Sequence, residues 1–138
     1  MNRAFLGKCF CVAALLAFSG TVLAEAPRVF FKNLKDGDKV KSPVKVEMGL
    51  EGMTVAKAGS LGATEGHHHI LVDGAPIDKG QPIPADTSHI HFGQAQTEAT
   101  VELPPGKHTL TLQFADGLHR SFGQELSSTI HIEVTPGG

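Results

Sequence analysis

The chain has 138 residues, a formal charge of −2, 8 histidines and neither tryptophan nor tyrosine. That charge argues against a nucleic-acid surface, and the missing aromatics argue against a sugar platform or an aromatic-anchored protein interface. Its two cysteines, Cys9 and Cys11, lie in an apolar leader, so a processed chain has no thiolate zinc site, blue-copper centre, cysteine nucleophile or disulfide.

Residues 1–24 read as an export signal. Arg3 and Lys8 give a positive start, Cys9 to Phe18 is an apolar run too short to span a bilayer, and Val22-Leu23-Ala24 is a small-residue cleavage site. The mature chain is expected to begin at Glu25; a cut after Ala26 is the less favoured alternative. The leader has neither a lipoprotein pattern nor a twin-arginine pair. A periplasmic or secreted protein without a membrane span is therefore expected. Residues 25–138 suit one domain, and 10 basic against 14 acidic residues give it a charge of −4.

Along that domain the apolar pattern has period two. Val29 to Lys32 forms a first short strand, and Asp36-Gly37-Asp38 a turn. Val44, Val46, Met48 and Leu50 then alternate with Lys45, Glu47 and Gly49. A Gly/Ala-rich stretch from Glu51 to Glu65 reads as a loop, and Ile70 to Asp73 as a strand led by three histidines. Gly74 to Thr87 is a second loop, followed by a strand from Ser88 to Phe92. Ala99, Val101 and Leu103, then Leu110, Leu112 and Phe114, then Ile130, Ile132 and Val134 mark three more strands, separated by Pro104-Pro105-Gly106 and Asp116-Gly117. Seven short strands predict an all-β, immunoglobulin-like antiparallel β-sandwich, each strand with one face in a core and one in water. The stretches from Asp36 to Val44 and from Leu103 to Leu110 resemble segments of bacterial sandwich modules, a likeness of fold alone.

Five of the eight histidines fall in Gly66-His67-His68-His69 and His89-Ile90-His91. Imidazole is the commonest ligand for zinc and copper, and alternate residues of a strand share a face. With Ile70 and Val72 inward, His67 and His69 point outward together and His68 points inward. With Ile90 and Phe92 inward, His89 and His91 also face outward. If the two strands are neighbours, about 4.8 Å apart, the four imidazoles form one patch that fits an ion with metal–nitrogen bonds of about 2.0 Å. Chain direction then places Glu98, Asp116 and His119 at the same end, as further ligands or as partners that orient a ring.

Plainer roles compete. His68 suits a hydrogen-bonded structural residue, His108 a hairpin contact, and His131 an exposed strand position. His119 is evenly balanced between ligand and loop residue. Met48 belongs to the core, and Met53 is more readily incidental than a copper(I) ligand. For the two outward pairs, accidental histidines on a polar strand are the alternative, which two His-x-His pairs in so short a chain make the weaker reading.

The succession Val29-Phe30-Phe31, Asp36-Gly37 to Ser42-Pro43-Val44, Gly66-His67-His68-His69 to Val72-Asp73, His91-Phe92-Gly93, Gln96-Thr97-Glu98 and Pro105-Gly106-Lys107-His108-Thr109-Leu110 to Asp116 resembles the exported bacterial family known as domain of unknown function 4399. The likeness spans nearly all of residues 25–138. It implies export and the domain's extent, and marks His67, His68, His69, His91, Gln96, Thr97, Glu98 and His108 as motif positions without giving them roles.

The leading expectation is an exported protein that binds copper, before zinc, through His67, His69 and His91 with His89 or His119, its affinity falling as pH drops through about 6. Glu98, Asp116 and His68 are expected around those ligands. The alternatives are a metal-dependent oxidoreductase acting on a small oxygen species, and a non-catalytic module that binds an envelope protein. Enzymatic activity is the less favoured reading. A serine hydrolase is disfavoured, because no Gly-x-Ser-x-Gly elbow occurs.

Overall fold

The computed structural model describes residue 17 and residues 19–137, so most of the expected leader lies outside the described residues. Strands β1 (Arg28–Phe31), β2 (Asp38–Val40), β3 (Val44–Glu51), β4 (Thr54–Val55), β5 (Glu65–Val72), β6 (His89–His91), β7 (Glu98–Val101), β8 (Gly106–Ala115) and β9 (Ser127–Val134) follow in order, with one 3₁₀ turn at Gln124–Leu126. Among the described residues no helix is long and apolar enough to cross a membrane.

The strands form two sheets. One has the order β1-β3-β7; the other runs β2-β9-β8-β5-β4, with β6 also paired to β5. The long pairings are antiparallel, while the short pairs β2/β9 and β4/β5 are parallel. The alternation read from the sequence supplies the core between the sheets. Val29, Val44, Val46, Met48 and Val101 from one sheet meet Ile70, Leu110, Leu112, Ile130, Ile132 and Val134 from the other. Burying each large aliphatic contributes about 1.5–3 kcal/mol. A solvent-screened ion pair such as Arg28–Glu51 adds little beside this, so the apolar faces dominate the fold.

The expectation that every strand keeps one face in water fails for β5 and β8. On β8, Thr111 and Gln113 lie on the face away from the main core yet are fully buried. Chain crosses over them: Gln113 accepts the Ile77 N–H at 3.0 Å and donates to the Gly123 carbonyl at 3.0 Å, and the Thr111 hydroxyl donates to the Gly74 carbonyl at 2.9 Å. The stretch from Gly80 to Ile83 is bonded in turn to His119 and Ser121. Two loops thus roof part of the outer face of the large sheet and give Thr111 and Gln113 their hydrogen-bond partners.

His108 lies at the start of β8, as the hairpin reading requires. Its Nδ1 faces Asp73 Oδ2 at 3.0 Å and its Nε2 faces the Pro104 carbonyl at 2.8 Å. With acceptors at both nitrogens the ring favours its protonated form, and the Asp73 carboxylate raises its pKa. His131 is exposed and paired with Asp36 at 2.9 Å.

Candidate metal centre

Strand β5 brings the histidines together because it pairs on both sides. His69 stands opposite His91 of β6 and opposite Gln113 of β8, while His67 stands opposite Ala115. His67, His69 and His91 therefore project from the same face of the sheet. The ring centroids of His67 and His69 are 4.8 Å apart, those of His67 and His91 4.9 Å, and those of His69 and His91 5.2 Å.

A fourth imidazole comes from the turn after β8. The Asp116 carboxylate accepts the N–H groups of Leu118 at 2.9 Å and Arg120 at 3.0 Å, and pairs with the Arg120 guanidinium at 2.8 Å. That bonding lets His119 adopt a left-handed φ of 63°, and its carbonyl accepts the Ile83 N–H at 2.9 Å. The His119 ring then stands 4.9 Å from that of His67 and 4.7 Å from that of His91.

His67, His91 and His119 each offer a ring nitrogen within 4.8 Å of the other two, so the three can hold a metal ion. The His91 and His119 Nε2 atoms face each other at 3.0 Å. Two nitrogens bound about 2.0–2.1 Å from one ion, at angles of about 90–110°, stand about 2.8–3.4 Å apart, so this pair already has the spacing of co-ligands. The His69 ring lies next to this group, 6.0 Å from that of His119.

Burial favours the ligand form. His67 and His69 are only 0% and 2% exposed, and among the described residues neither nitrogen of His67, nor Nδ1 of His69, has a hydrogen-bond partner. Such a buried orphan costs about 1–3 kcal/mol unless something satisfies it. Burial first, then the neighbouring imidazoles, lower the pKa of His67 to about 4 and that of His69 to about 3. His91 is lowered by burial and by His119. Neutral imidazole is the form that ligates.

Close backbone approaches keep the rings in place. A Cβ at Gly93 would overlap the His91 ring, standing 2.7 Å from its Nε2, and one at Gly117 would overlap the Ser60 backbone. Gly93→Ala is expected to turn the His91 ring and weaken metal affinity by about 10–100-fold, the usual range for lost ring orientation. A metal titration of that variant with unchanged affinity would show that the ring is free to adapt.

The face assignment of His67, His69 and His91 matches the sequence reading, but the expected exposure holds only for His91, since His67 and His69 are buried. His89 shares the His91 face yet stands opposite Leu71, and its Nδ1 bonds Asp86 at 2.7 Å. It lies outside the triad. Glu98 lies on β7 in the other sheet, paired across from Glu47, so chain direction misplaced it. Asp116 shapes the His119 turn. His68 projects from the opposite face of β5, its ring 5.1 Å from that of Phe114. The hydrogen bonds expected for it are not found among the described residues, and burial, then His67, lowers its pKa to about 4. Asp86, Gly93 and Gly117 were not foreseen as part of the site. Each had a local signal: an Asp-x-Ser turn just before the His89 strand for Asp86, the His91-Phe92-Gly93 motif for Gly93 and the Asp116-Gly117 turn for Gly117.

The model of the family described as Domain of unknown function (DUF4399) matches residues 46–135. No curated protein and no solved structure matches the chain.

Proposed function

The chain belongs to the DUF4399 family, and we propose that it is an exported protein that binds one transition-metal ion, copper before zinc, through His67, His91 and His119, with His69 completing the set. The observation that carries this reading is the convergence of three imidazoles from β5, β6 and the turn after β8, two of them with facing nitrogens 3.0 Å apart. An all-imidazole donor set ranks copper(II) above zinc, and no cysteine remains after the leader to favour a softer ion. The leader directs the domain to the periplasm or beyond. Binding stands ahead of oxidoreductase chemistry, because Glu98 is in the other sheet and Asp116 is occupied by Arg120 and two backbone N–H groups.

Titrating residues 25–138 with copper(II) and zinc(II) tests the reading. One equivalent of copper binds with the absorption of nitrogen-ligated copper(II), and zinc binds more weakly at the same site. Absence of a stoichiometric end point with either ion would overturn it.

A further inference from the structure

We propose that His89, held by Asp86, first captures a copper ion from solvent and passes it to the His67–His91–His119 triad, an inference that rests on the metal-binding reading above. His67 is fully buried, whereas His91 is exposed, so an incoming ion meets the His91 side first. An open groove on that side is lined by Ala85, Asp86, Thr87, His89, Ile90 and His91. His89 is the one imidazole in it outside the triad.

Its ring is arranged as a ligand. Asp86 Oδ1 accepts the backbone N–H groups of Ser88 and His89 at 2.9 and 3.0 Å and contacts His89 Nδ1 at 2.7 Å. A carboxylate fixed in this way accepts the hydrogen bond of Nδ1–H and leaves the lone pair on Nε2, the arrangement that orients metal-binding histidines. His89 shares the His91 face, because His91 stands opposite His69 and His89 opposite Leu71. Two residues along a strand separate their Cα atoms by about 6.8 Å, close enough for a single transfer between neighbouring rings, while the bond to Asp86 holds the His89 ring outside the group formed by His67, His91 and His119. The order of events is capture at His89 Nε2, a brief state shared with His91, then closure by His67 and His119.

A capture ligand speeds arrival and departure equally, so kinetics separate it from a ligand of the final site. Copper(II) is mixed with the metal-free protein in stopped flow, its dissociation is followed with a chelator, and affinity is measured by equilibrium titration. For His89→Ala the association and dissociation rates are expected to fall together by about tenfold, the scale of an oriented-ligand effect, with Kd unchanged. Asp86→Asn, which retains the ring, is expected to give a smaller parallel fall. An unchanged association rate in His89→Ala overturns the proposal. So does a weaker Kd caused by faster dissociation, which would place His89 on the ion in its final state. Failure of the unaltered protein to bind copper would remove the metal-binding reading itself; normal binding with unaltered His89→Ala kinetics would remove only the capture role.

Discussion

His67→Leu abolishes stoichiometric copper binding while leaving the metal-free protein as stable as before, or more so. The imidazole is fully buried, and neither of its nitrogens has a partner among the described residues. Replacing it with an apolar group of similar volume removes a polar group that costs about 1–3 kcal/mol to bury unsatisfied. The same change deletes the ligand between His91 and His119, so affinity falls by more than the roughly 10–100-fold lost with an orienting partner. Adding His91→Ala removes what remains. Thermal melts of the metal-free protein, set beside copper titrations, check both halves. A variant that melts several degrees lower yet binds copper normally would make His67 a structural residue.

Copper binding extends to lower pH than the window near 6 that unperturbed imidazoles imply. The reason is burial, which lowers His67 to about 4 and His69 to about 3 before neighbouring charge adds to the shift. The same groups make the metal-free fold sensitive to acid. In the unfolded chain these imidazoles and His68 titrate near 6.5, so below that value the unfolded state binds protons that the folded state refuses. Their contribution to stability is therefore complete above about pH 6.5 and is lost as pH falls towards about 4. An ion that holds the rings neutral moves the acid transition lower. Unfolding curves at pH 7 and pH 5, with and without copper, report both effects; a metal-free midpoint that does not change over that interval would refute the account.

The strand pattern was legible where one face meets the main core. Val44 to Leu50, Leu110 to Phe114 and Ile130 to Val134 alternate clearly, and all became long strands. Strands β2 and β4 left no such trace, because three- and two-residue edge segments are too short for a period to emerge. Period two also assigned the shared face of His67, His69 and His91 correctly. It could not show that loops cover part of that face, since burial of Thr111 and Gln113 depends on the chain around Gly74 and Ile77 and from Gly123 to Leu126. Nor does alternation reveal partners. Glu98 was placed by strand direction alone, and the change of sheet between β6 and β7 carried it away from the site.

His67, His91 and His119 sit 24 and 28 residues apart along a chain whose two cysteines are Cys9 and Cys11, both well before the site. An ion gripped by all three closes two loops of a size that a covalent cross-link would stabilise by about 3 kcal/mol each in the chain-entropy view. Unlike a disulfide, that fastening opens without reductant. A chelator, or a rival protein with stronger donors, would release the loops and the ion in one event.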